Sequence, residues 1–136
     1  MLNQVEIYEE FEKWIDNLLE NNEMPENTVA FNFNLYEESV QDNVYGVQII
    51  ASDRFDEDDG GDWACCEVWS SEEDIFCVDT SDEDDKSWQQ ALKFITELVA
   101  DYLENGRYKD ILLTKKAVGI GFVDGDLDLI YKAEQE

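Results

Sequence analysis

The sequence contains no histidine. That removes the side chain most used as a general acid or base near neutral pH, and the commonest metal ligand. Ser-His-Asp and Cys-His catalysis go with it. Proline is nearly missing as well: Pro25 stands alone, and no Pro/Gly/Ser-rich stretch divides the 136 residues. A length of that order suits one domain, taken as 1–136. No apolar run approaches the ~20 residues that span a bilayer. The opening MLNQVEIYEEFEKW lacks a basic stretch followed by an apolar one, so it does not read as a signal peptide. A cytoplasmic location is expected. Neither G-x-x-x-x-G-K-[ST] nor G-x-G-x-x-G occurs. The G-I-G at 119–121 falls in a strand pattern, where close backbone packing explains it. The expectation is a protein that is not an enzyme, with no catalytic residues, no cofactor and no metal.

Cysteine is also scarce. Cys65, Cys66 and Cys77 are odd in number and irregular in spacing, which is not a disulfide framework. Adjacent residues of a strand point to opposite faces, so Cys65 and Cys66 are poorly placed to chelate together. All three lie in apolar, strand-like stretches and read as buried small hydrophobes.

Positive charge is the last scarcity, and it exposes what the chain has in excess. There are 9 Lys and Arg against 35 Asp and Glu, a formal charge of -26. Residues 1–85 hold 26 acids and two bases, Lys13 and Arg54; residues 86–136 hold nine acids and seven bases. The acidity is therefore regional. Such a field repels the phosphates of nucleic acid and anionic membranes, and it attracts and steers basic proteins. Solubility alone is the competing explanation. With 43% hydrophobic and 12% aromatic residues, the chain has the material for a packed core.

Periodicity divides it into elements. Residues 4–21 carry Tyr8, Phe11, Ile15, Leu18 and Leu19 at helical steps, with Trp14 alongside and Glu6, Glu9, Glu10, Asp16 and Glu20 opposite. Residues 28–36, TVAFNFNLY, alternate as a half-buried strand does. Residues 43–52, 62–70 and 74–79 read as three more strands, joined by short polar turns in an antiparallel meander. A second helix covers about 87–104, with Ser87 and Gln90 as a capping box and Gly106 at its end. Residues 117–123 and 127–131 read as a hairpin around Asp124-Gly125. The expected fold is α+β: N-terminal helix, antiparallel four-strand meander, second helix and C-terminal β-hairpin, with the helices on one sheet face. The cluster Arg107, Lys109, Lys115 and Lys116 fits compensation of the second helix's dipole rather than a nucleic-acid site.

Two constellations compete for the acidic loops. Residues 56–67, DEDDGGDWACCE, resemble an EF-hand loop in spacing, with Asp56, Asp58 and Glu67 at its positions 1, 3 and 12. Trp63 replaces the small aliphatic residue of that motif, and the flanks look like strands rather than helices. A solvated hairpin tip turning at Gly60-Gly61 is the favoured reading, and a calcium module is the alternative. The second constellation is aromatic. Trp63 and Trp69 fall on one face of the 62–70 strand together with Glu67; aromatic anchors rimmed by acids suit a protein-binding surface, and packing in the core is an equal alternative for them. The candidate partner-binding residues are Asp53, Asp56, Glu57, Asp58, Asp59, Asp62, Trp63, Glu67, Trp69, Asp82, Glu83, Asp84 and Asp85.

Size, acidity and the helix–meander–helix layout together resemble bacterial immunity proteins of contact-dependent toxin systems. The resemblance rests on no motif and carries over no residue. It implies an inhibitor that binds a basic, nuclease-type toxin domain one to one as a monomer and blocks its cleft by standing in for substrate phosphates. A DNA-mimic protein aimed at DNA-binding proteins is the other expectation; it needs a second row of carboxylates beside those on the first helix.

Overall fold

The computed structural model describes residues 4–39, 44–56, 58, 62–71, 75–79, 88–122 and 127–132. The chain is α+β, with three helices and a mixed six-stranded sheet among these residues. In order they are α1 (Gln4–Asn21), β1 (Ala30–Ser39), β2 (Val44–Ser52), a 3-10 turn (Asp62–Cys65), β3 (Glu67–Ser70), β4 (Phe76–Asp79), α2 (Trp88–Asn105), α3 (Lys109–Leu113), β5 (Ala117–Phe122) and β6 (Asp128–Lys132).

β1 is a central strand. On one side it pairs antiparallel with β2, Phe33 opposite Ile49. On the other it pairs parallel with β5, Phe33 opposite Ile120. β6 closes that side antiparallel to β5. The full order is β3-β2-β1-β5-β6, with β4 also on β2. The sheet differs from the expected antiparallel four-strand meander, and it includes the C-terminal hairpin, whose attachment the sequence leaves open. The C-terminal hairpin joins the same sheet through a parallel contact. And β3 and β4 do not pair with each other: β3 lies along the end of β2 (Ala51 opposite Trp69) and β4 along its start (Val47 opposite Phe76). They form one interrupted edge. Ser71 bridges part of the gap, since its N–H donates to the Ile49 carbonyl and its hydroxyl accepts the Ile49 N–H.

Alternation puts Phe31, Phe33 and Leu35 of β1, Val47 and Ile49 of β2, and Val118 and Ile120 of β5 on one sheet face. Phe11, Ile15, Leu18 and Leu19 of α1 cover it, together with Ile95, Leu98, Val99 and Tyr102 of α2 and Leu112 of α3. The 3.6-residue stripes of the two long helices were legible because each must bury one face. A polar tie joins them: the Tyr102 hydroxyl donates to Asp16 at 2.6 Å and accepts the Tyr108 N–H at 3.2 Å. Burial, and then the bond to Asp16, raises the Tyr102 phenol well above its ordinary value. The Tyr8 hydroxyl lies 3.2 Å from Glu12 and 3.3 Å from the Asp101 carbonyl, and burial and the Glu12 charge push its pKa to about 12.

Gly106 ends α2 for a reason other than a left-handed backbone. A Cβ there would sit 2.6 Å from three atoms of the Tyr102 ring, so glycine makes room for that ring. Lys109 Nζ donates to the Glu104 carbonyl at 2.7 Å, which satisfies a carbonyl at the helix end. The capping residue expected at Ser87 lies outside the described residues.

The opposite sheet face is polar. Asn32 Nδ2 donates to Asn34 Oδ1 (2.6 Å), Asn34 Nδ2 to Gln48 Oε1 (3.2 Å), and the Tyr36 hydroxyl to the same Gln48 oxygen (2.7 Å). One end of this ladder is sealed by a small second core of Ala30, Trp63 and Ala117, with Phe55, Ala64 and Leu127 packed on it. There Asn32 is 2% exposed, and its Oδ1 has no hydrogen-bond partner.

Candidate protein-binding surface

The chain between β2 and β3 builds the site. β2 ends at Ser52, whose side chain is fully buried. Its hydroxyl lies 2.6 Å from the Trp63 carbonyl, as donor, and accepts the Arg54 N–H at 3.3 Å. The Asp53 N–H donates to the Cys66 carbonyl, and the Cys66 N–H to the Trp63 carbonyl, both at 3.2 Å. The start of the loop is thus bonded to its own return. Phe55 stands edge-on to Trp63, ring centroids 5.1 Å apart at 74°. Asp56 Oδ1 accepts the Asp58 N–H at 2.9 Å, closing a small local turn.

Trp63 corrects the sequence reading. It was expected on a strand face with Trp69, as an aromatic contact for a partner. Residues 62–65 instead form a 3-10 turn, and Trp63 is 1% exposed. The large apolar ring gains more by filling the space over Ala30 and Ala117 than by facing water. It supports the surface from beneath and does not belong to it. Trp69 is half-buried and packs on the main core beside Val68. A bulge between Ala51 and Ser52 places both of these β3 side chains toward that core.

The carboxylates lie outside this support. Asp53, Asp56, Asp58 and Glu67 are exposed, and Glu67 stands opposite Ser52, next to Asp53. Asp62 opens the 3-10 turn. Glu57, Asp59, Asp82, Glu83, Asp84 and Asp85 lie outside the described residues. Of the candidate set, then, the structure brings Asp53 beside Glu67, leaves Asp56 and Asp58 exposed on the same loop, and buries Trp63. Arg54 is the exposed cation among them.

The cysteine expectation also changes. Cys65 and Cys77 are exposed, Cys66 is intermediate, and none is in a disulfide. The 3-10 turn spends its inward position on Trp63, which leaves Cys65 outward. Sequence periodicity missed two residues on which the loop depends. Phe55 carried a weak signal, as a lone aromatic in an acidic stretch. Ser52 carried none, because its role is to bond two backbone groups that only the fold brings near.

The EF-hand reading finds strands β2 and β3 where helices would flank the loop. Among the described residues no group of three or more His, Cys, Asp or Glu could hold a metal ion. Among them, too, no helix is long and apolar enough to cross a membrane. No family model, no curated protein and no solved structure matches the chain.

Proposed function

We propose that the chain is a protein-binding inhibitor whose acidic surface occupies a basic cleft on a partner, as an immunity protein does against a nuclease-type toxin. The observation that carries this reading is the rim at the ends of β2 and β3. Asp53 and Glu67 are exposed on backbone that is bonded across the loop around a buried Trp63 (the Asp53 N–H to the Cys66 carbonyl, the Cys66 N–H to the Trp63 carbonyl), and Asp56 and Asp58 are exposed farther along the same loop. A preformed rim loses little freedom on binding, so more of the attraction appears as affinity. Its charges also steer a basic partner and raise the association rate. The proposed complex is one to one, and the chain acts without catalysis.

A second reading is a DNA mimic aimed at DNA-binding proteins. One observation favours it. α1 and α2 bury their stripes against the same sheet face, and each has exposed acids: Glu9, Glu10 and Glu20 on α1; Glu97, Asp101 and Glu104 on α2.

The test is association kinetics with a nuclease-type toxin domain retained by the immobilised chain. Asp56→Lys with Asp58→Lys should slow association at least tenfold at low salt and flatten its salt dependence, with nuclease inhibition weakened in parallel. Reversal of Glu97 and Asp101 should leave both unchanged. The opposite pattern supports the DNA-mimic reading, and no retained partner at low salt defeats both.

A further inference from the structure

We propose that Asn105 is a self-modification site: its side-chain amide is lost through a cyclic imide formed with the Gly106 backbone nitrogen, and the end of α2 sets the rate. This chemistry is independent of the acidic surface.

Two neighbouring residues supply it. Asn105-Gly106 is the single Asn-Gly pair of the chain, and Asn105 is exposed. Asparagine is among the thermolabile side chains. A glycine nitrogen meets the least steric resistance in reaching the asparagine Cγ, because no Cβ stands beside it. The Gly106 nitrogen bonds to Asn105 Cγ, the Cγ–Nδ2 bond breaks, and ammonia leaves with the proton that the Gly106 nitrogen gives up. Water then adds to one of the two ring carbonyls and breaks its bond to that nitrogen. One opening leaves aspartate. The other leaves isoaspartate, whose main chain runs through Cβ and Cγ.

The fold holds the native chain short of this step. Helical side chains lean toward the N-terminus, and Asn105 Nδ2 accordingly donates back to the Asp101 carbonyl at 3.3 Å, away from Gly106. The Gly106 N–H donates to the Tyr102 carbonyl at 2.7 Å, and Lys109 Nζ donates to the Glu104 carbonyl at 2.7 Å. Attack therefore requires the last turn of α2 to open. Packing also demands the labile pair, since a Cβ at Gly106 would lie 2.6 Å from the ring of Tyr102, which is 1% exposed.

The product acts back on the helix. Either acid places a negative charge at the C-terminal end of α2, one turn from Asp101, where the helix dipole already disfavours it. Isoaspartate also lengthens the backbone between Tyr102 and Gly106. That displaces the bond between them beside the residue that ties α2 to Asp16 of α1.

The test holds the full chain at mildly alkaline pH, native and in guanidinium chloride. Deamidation is read by ammonia release and by mass spectrometry of the peptide that contains Asn105. The native rate should be at least tenfold below the unfolded rate. Lys109→Ala, which removes a surface tie at the helix end, should raise the native rate at least threefold and leave the unfolded rate unchanged. Asn105→Gln should stop the reaction at this position in both states. The aged native chain should unfold at a lower temperature than the fresh one, and aged Asn105→Gln should not. No conversion at Asn105 in the unfolded chain overturns the site. Equal native and unfolded rates, or an unchanged native rate in Lys109→Ala, overturn control by the end of α2. An aged, converted chain as stable as the fresh one overturns the effect on the helix.

Discussion

Gly119→Ala measures how tightly the second core is closed. Gly119 lies in β5 opposite Asn32 of β1, under the ring of Trp63. A Cβ at this position would come 2.6 Å from Asn32 Oδ1, 2.9 Å from Leu127 Cδ2 and 3.2 Å from Trp63 Cζ2. All three lie inside ordinary contact distance. Asn32 and Trp63 are almost fully buried, so neither can swing into solvent to make room. Overpacking of this kind costs about 1–3 kcal/mol. Replacing glycine also restricts the unfolded chain, which offsets about 0.4–1 kcal/mol. The expected net loss is about 1–2 kcal/mol, or a fall in Tm of about 3–8 °C for a chain of this size. Urea unfolding followed by circular dichroism gives the value. The shortest clash is with an oxygen that has no hydrogen-bond partner, so removing it should relieve part of the strain. Asn32→Ala should therefore cost less in the Gly119→Ala background than alone, by at least about 0.5 kcal/mol. A Gly119→Ala variant as stable as the parent, or a double variant that is simply additive, would refute the packing described for this end of the sheet.

Other consequences can be checked independently. Trp63→Ala should cost about 3–5 kcal/mol in urea unfolding, and the Asp53 amide, bonded to Cys66, should exchange its hydrogen faster. Alkaline pH should weaken the fold in a defined window. The Tyr8 and Tyr102 pKa values are raised, so the native state keeps protons that the unfolded state loses. Their stabilisation is complete below about pH 10 and is lost as pH rises through the folded-state values, about 12 for Tyr8. Phenolate absorbance should show these two residues titrating later than in denaturant, and coincident curves would contradict their described bonds. Finally, Cys65 and Cys77 should react with a thiol reagent in the native state, with Cys66 lagging; uniform protection would contradict their exposure.

What the sequence revealed and what it hid divide along a physical line. The helices at 4–21 and about 87–104 follow from local periodicity, and α1 and α2 occupy Gln4–Asn21 and Trp88–Asn105. The alternation of Phe31, Phe33 and Leu35 likewise gave β1 its buried face. Pairing is different, because it depends on partners far along the chain. Nothing local announces that Ala30 meets Ala117 in parallel, or that β3 and β4 share one edge of β2. The five-residue α3 is not legible in the sequence because a helix that short has almost no period to detect. At the candidate surface, the acids of the 53–58 loop were legible as charge. The role of Trp63 was not, since the same aromatic serves as a contact or as a prop depending on which way a four-residue turn faces.

The parallel contact between β1 and β5 also orders events in time. The hairpin of β1 and β2 is local and can form as soon as both strands leave the ribosome. The other side of β1 must wait for residues 117–122, synthesised after both long helices. Until then a central strand with one apolar face has one border uncovered. A nascent or truncated chain ending before Ala117 would expose that border to any neighbour, and the heavy negative charge of the first 85 residues is what would keep two such chains apart.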